Sequence, residues 1–162
     1  MNARRSGKDH HIFHLGPREK DLLFQTIKLY PLVPASHYQL SKSKNAAQSD
    51  ENQRLLDESL AEQRQQNRKQ VLELLNDPQR LRETKSGFEL KLAPTQMEWL
   101  LQVLNDVRVG SWLSLGEPEP GKEQELTEQN ARFLLAMELC GAFESMLLAA
   151  LGIRESPGWM NG

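Results

Sequence analysis

Three stretches of this chain repeat apolar residues at the period of an α-helix, and each sets one polar side chain near the middle of its apolar face. A helix turns about 100° per residue, so its faces follow from spacing alone. Over residues 50–76, Leu56, Leu60, Val71 and Leu74 share a stripe, with Asn67 at its centre and Arg64 at its edge. Over 94–115, Met97, Leu101, Leu104, Trp112 and Leu115 share one, and Arg108 falls in its middle. Over 127–151, Phe133, Met137, Cys140, Leu147 and Leu151 share a third, and Glu144 falls in its middle. Burying an unpaired charge costs several kcal/mol. Arg108 and Glu144 are therefore expected to pair across packed helices, with Asn67 or Arg64 taking spare hydrogen bonds. Three uses stay open: a satisfied polar core that fixes helix register, a small ligand pocket between helices, or a surface position if the helix phase differs.

The last helix has a second apolar face, formed by Leu135, Leu139, Ala142, Met146 and Ala149. A helix apolar all round is expected at the centre of a bundle, or at a homodimer seam. Trp99, Val103 and Val109 lie off the main stripe of the third helix and point the same way.

The remaining punctuation fits a mainly α fold. Gly16-Pro17 opens a first helix running to about Tyr30, with Leu23, Phe24, Ile27 and Tyr30 inward, and Pro31 and Pro34 end it. Ser49 or Asp50 caps the second helix, which Asp77-Pro78 closes. Pro94 or Thr95 opens the third and Gly116 stops it. Thr127 caps the fourth and Gly152 follows its end. Phe88, Leu90 and Leu92 alternate with Glu89 and Lys91, the period of a strand. One strand leaves its backbone unpaired, and HHIFHL (10–15) is the best partner, giving a two-stranded sheet. The expected architecture is one domain, a bundle of four principal helices with a small two-stranded sheet at one edge. Segments 1–9, 39–50, 117–125 and 154–162 read as flexible.

With 162 residues, the chain is long enough for one sizeable core. No apolar run approaches the roughly 20 residues of a membrane span. Arg4, Arg5 and Lys8 are followed by Asp9, His10 and His11, not by an apolar segment, which speaks against a secretory signal. Cys140 is the only cysteine, so no internal disulfide forms and a cytoplasmic setting is favoured. Its place on an apolar stripe reads as an inert core thiol. Three of the four histidines cluster at 10, 11 and 14, but on a strand His11 points away from the other two, so no metal site is expected. The chain carries no G-x-S-x-G, no phosphate-binding glycine loop and no zinc-finger spacing, and neither catalytic residues nor a cofactor are expected.

Charge is unevenly spread. Residues 1–48 hold eight Lys/Arg and three Asp/Glu, whereas residues 93–162 hold four and ten. A basic front third complements the chain's own acidic end, or else touches nucleic acid through Arg4, Arg5, Lys8, Lys42 and Lys44. Arg64, Arg68 and Lys69 in EQRQQNRKQ could add to such a surface. That segment has no interleaved aromatic residue, so it reads first as a solvated helix face.

The run EWLLQVLNDVRVGSWLSLG, residues 98–116, resembles the signature of an uncharacterised bacterial family, DUF2017, in which a helix ends in an Asn-Asp-hydrophobic-Arg motif before an acidic loop. Here the motif is Asn105, Asp106, Val107 and Arg108. The last helix and the Pro31 to Pro34 turn are similar too. The resemblance implies an all-helical bacterial cytoplasmic protein with no described catalysis, whose gene often lies near the one for the adaptor of the Clp protease. Some members carry labels as transcriptional regulators. The expected function is a non-enzymatic interaction or accessory protein. A nucleic-acid-associated regulator and a ligand binder at Arg108 and Glu144 are the alternatives.

Overall fold

A computed structural model describes residues 2–6, 10–38, 46–119, 121 and 125–152. In chain order it has strands β1 (Asn2–Ser6) and β2 (His10–Leu15), helix α1 (Pro17–Ile27), a 3-10 turn (Ala35–Tyr38) and helix α2 (Ala46–Leu75). Strands β3 (Leu81–Thr84) and β4 (Gly87–Leu92) and helices α3 (Pro94–Ser114) and α4 (Glu128–Ala150) follow.

All four expected helices form, but α2 begins at Ala46, ahead of the Ser49 or Asp50 cap expected for it, and α1 ends at Ile27, short of Tyr30. Thr127 caps α4, its hydroxyl oxygen accepting from the Asn130 N–H at 3.1 Å. Pro94 occupies the first turn of α3, and the Gln96 side chain accepts from the Ala93 N–H at 2.9 Å. Glu19 reaches back in the same way to the Gly16 N–H at 3.0 Å. Asp77 ends α2 by accepting from the Gln79 N–H at 2.9 Å.

The sheet is larger than the two strands expected. Its order is β1-β2-β4-β3, antiparallel throughout. HHIFHL does pair with FELKL, with Phe13 opposite Leu90 and Leu15 opposite Phe88. Residues 2–6, read as part of a flexible start, instead form β1 against β2. Their polar composition hides a strand whose backbone is satisfied by its neighbour and not by burial. β3 closes the other edge through a two-residue hairpin at Lys85-Ser86. Residues 46–50 of the expected linker are the first turn of α2; residues 39–45 and 154–162 lie outside the described residues.

One face of the sheet carries Phe13, Leu15, Leu90 and Leu92 into a core shared with α1, α3 and α4. Leu23, Ile27 and Tyr30 come from the first helical segment, as its periodicity predicts. On α3 the buried stripe is Met97, Leu100, Val103, Leu104, Val107, Gly110 and Ser111. It is therefore rotated from the stripe expected through Leu101, Arg108 and Trp112, and Trp112 stands at the surface. On α4 the buried residues are Ala136, Cys140, Phe143, Glu144 and Leu147; Cys140, Glu144 and Leu147 belong to the expected stripe, whereas Ala136 and Phe143 are buried in place of Phe133, Met137 and Leu151, which are only partly covered. The second face of α4 is not covered as a central helix would be: Leu135 is 47% exposed, and Ala142 and Ala149 face outward. By length and composition alone α4 is apolar enough to cross a membrane, although Glu138 and Glu144 interrupt its apolar run. Its Glu144 pairs with α3 in the middle of that segment.

Gly87 opens β4 with φ of +148° where the hairpin meets β2, and an added Cβ would sit against the Leu15 carbonyl oxygen. Gly87→Ala is expected to cost about 2–3 kcal/mol, since neither the backbone angle nor the space accepts a side chain. Urea unfolding that moved by less than about 0.5 kcal/mol would contradict this packing.

Candidate functional site

The polar residues singled out by sequence fall into two separate networks, set by their angles on α3. Asp106 and Arg108 are two residues apart, about 200° around the helix, so they face opposite sides.

The first network holds the chain between α1 and the 3-10 turn. This strap, residues 29–34, crosses α2 and α3 without regular secondary structure, so its backbone N–H groups need other acceptors. Asp106 Oδ1 accepts from the Leu32 N–H at 2.7 Å and from the Val33 N–H at 3.3 Å. Arg64 of α2 donates through Nη2 to the Val33 carbonyl at 2.6 Å and lies 3.4 Å from Asp106 Oδ2. Both side chains are largely buried. One turn beyond Asp106, Gly110 leaves room for the strap: a Cβ there would come within 2.6 Å of the Leu32 side chain and 2.8 Å of its carbonyl carbon. Asn67 adds weaker contacts, 3.4 Å to the Tyr30 hydroxyl and 3.3 Å to Gln102 Oε1. Asn105 is exposed beside this network.

The second network is the expected pair. Arg108 Nη1 donates to Glu144 Oε2 at 2.9 Å. The two are unequal, because the Arg108 side chain is 51% exposed and that of Glu144 only 9%. The rotated phase of α3 puts Arg108 at the rim, where its stem covers α4 and its head stays wet. Asn67 and Arg64 do not join this pair, contrary to expectation, since they sit on α2 across the strap. Glu144 Oε1 and Ser111 Oγ are buried without a protein partner among the described residues. Cys140, one turn before Glu144, is fully buried. Burial pushes its thiol up to about 12, the Glu144 carboxylate adds to the rise and Arg108 opposes it. A thiol held protonated in this way is a core group and not a nucleophile.

A third cluster, which sequence reading missed, lies on the outer face of the sheet. Glu89 takes Arg82 at 2.7 Å, Arg4 at 3.7 Å and His14 at 3.7 Å. The Arg82 hydrogen bond holds its carboxyl below the usual range, against the effect of burial. The alternation of β4 already placed Glu89 on that face; its partners follow only from the register of β1 and β3. Arg4, a candidate nucleic-acid contact, is thereby engaged with Glu89. The Arg5 side chain and residues Lys8, Lys42 and Lys44 lie outside the described parts. Among the described residues, no group of three His, Cys, Asp or Glu side chains is arranged to hold a metal.

Two grooves flank these networks. One, of about 370 Å³, runs between α2 and the strap, and Leu60, Ala61, Arg64 and Pro31 are among its lining. The other, of about 220 Å³, lies between α1 and α4 beside Leu135 and Leu139. Comparison with protein-family models, with curated proteins and with solved structures finds no match to this chain.

Two expectations follow. Asp106→Ala leaves two strap N–H groups without their acceptor and removes the carboxylate beside Arg64, which keeps the Val33 carbonyl, and is expected to cost about 3 kcal/mol in urea unfolding. Asp106→Asn, which keeps an acceptor oxygen, should cost less; equal, small losses for both would mean that the strap is held by packing alone. Cys140 should resist alkylation in the folded protein at about pH 8 and react fully once urea unfolds the chain, and fast labelling under native conditions would contradict its burial.

Proposed function

We propose that this protein is a non-enzymatic interaction protein whose contact element is the first half of α2, and that its partner presents a basic protein surface. One observation carries this reading. Helix α2 has 30 residues, about 45 Å, yet its buried apolar side chains, Val71, Leu74 and Leu75, lie in the last two turns. The first turns project from the body with α3 as the one helix that α2 packs against closely.

Most of the stability of a protein helix comes from tertiary packing, and where α2 lacks it the helix is reinforced from within. Arg54 bonds Glu51 at 2.6 Å and Glu58 at 2.8 Å, Gln48 bonds Asn52 at 3.0 Å, and Gln53 bonds Asp57 at 2.8 Å. Such pairs, three or four residues apart, each add a few tenths of a kcal/mol. They keep straight a segment that the core does not need. Residues 46–63 carry Asp50, Glu51, Asp57, Glu58 and Glu62 against Arg54 alone, which favours a basic counterpart. The resemblance of residues 98–116 makes the Clp machinery the first partner to test by name.

The test uses tagged full-length chain after nuclease treatment, beside a variant with Asp50→Asn, Glu51→Gln and Glu58→Gln. A partner that binds the wild type, loses about tenfold or more with the variant, and reproduces both results when purified supports the reading. A partner indifferent to those changes, or one lost on nuclease treatment, overturns it.

A further inference from the structure

We propose that this protein self-associates through the middle of α2, with the α2 of a second copy lying antiparallel in the groove beside the strap. The pairing shares Asp57, Leu60 and Ala61 with the half of α2 assigned to a partner above, but it needs only this chain, so its test reads self-association and not partner capture.

The groove is walled on one side by Pro31 and Ala35 and on the other by six positions of α2: Asp57, Leu60, Ala61, Arg64, Gln65 and Arg68. Four of them, 57, 61, 64 and 68, follow one another at the spacing of a single helix face. The set also maps onto itself when the helix is reversed. Two antiparallel copies crossing midway between Glu62 and Gln63 bring Asp57 against Arg68, Leu60 against Gln65 and Ala61 against Arg64. That is the self-complementary pattern a two-fold interface requires.

Charge selects the same arrangement. Arg68 is exposed and makes no hydrogen bond or ion pair among the described residues. Asp57 accepts from Gln53 at 2.8 Å and forms no ion pair among the described residues. The two lie about 16 Å apart along one helix and so cannot pair within a chain. An antiparallel copy joins them twice. Over the whole helix, residues 46–63 hold five acidic and one basic side chain, and residues 64–75 hold three basic and one acidic. An antiparallel partner sets the acidic half against the basic half, whereas a parallel one sets like against like.

The centre of the groove suits close approach. Ala61 is small, and Arg64 is drawn aside onto the Val33 carbonyl and Asp106, so it does not stand in the way. Leu60 and the strap's Pro31 and Ala35 supply the apolar contact.

The experiment is sedimentation velocity on the full chain from about 1 to 100 µM, with circular dichroism as a check of folding. The wild type should sediment as a dimer at the upper end. Arg68→Glu and Asp57→Arg should each weaken the dimer about tenfold or more, because like charges then face each other twice. An equimolar mixture of the two single variants should recover the dimer, since every altered charge then faces its opposite; so should the double variant D57R/R68E alone. A wild type that stays monomeric throughout overturns the proposal. So does a dimer that neither single variant weakens, or a mixture that fails to recover.

Discussion

The carboxylate of Asp106 is the point on which the helical layer depends. A strap that leaves α1 and turns toward α2 has backbone N–H groups with no helix or strand to take them, and burying them unpaired costs about as much as a lost hydrogen bond each. Asp106 accepts two of them from α3, while Arg64 of α2 takes the Val33 carbonyl and leans on the same carboxylate. One acidic side chain thus ties three segments distant in sequence. Gly110 completes the arrangement by letting the strap lie directly on α3. Because the strap is fixed, α2 is held at Arg64 and Asn67 as well as by Val71, Leu74 and Leu75 in the core, and its first turns run outward from there.

The two charged networks of α3 divide its labour. Asp106 serves internal structure through backbone acceptance, a use in which a short anion outperforms any neutral residue. Arg108 works at the rim of α4, where Glu144 is buried and the arginine head reaches water. A pair open to solvent on one side avoids most of the desolvation that makes fully buried ion pairs costly. Cys140 shares this environment, and its raised thiol reports the same low-dielectric pocket seen from within the core.

Much of the chemistry at the surface is already engaged. On the sheet, Glu89 gathers Arg4, Arg82 and His14 into one cluster, so the basic character of the first third is partly neutralised where it folds. The exposed side of α4 and the projecting half of α2 differ in kind. The first mixes Leu135, Ala142 and Ala149 with Arg132 and Glu138; the second is a polar helix held by its own side chains, with its charges sorted by sign along its length. Sorted charge carries orientation, which an apolar face does not.

The sequence by itself determined that four helices form, the openings of α1, α3 and α4 and the pairing of HHIFHL with FELKL, because proline, glycine, Thr127 and strict periodicity act locally; the start of α2 at Ala46 carries no such mark. It also brought Arg108 and Glu144 together, since an unpaired charge on an apolar face demands a partner. Three things waited for the tertiary structure. The phase of α3 was ambiguous because both Leu101 and Val103 offer apolar faces, and only packing against the sheet and α4 chose Val103, Val107 and Ser111 for burial. Strand β1 was illegible because NARRS has no alternation, and its pairing comes from the edge that β2 offers. The role of Asp106 was hidden for a different reason. Its partners are backbone N–H groups more than seventy residues away, and every non-proline residue carries such a group, so no side-chain pattern marks which ones an aspartate will meet.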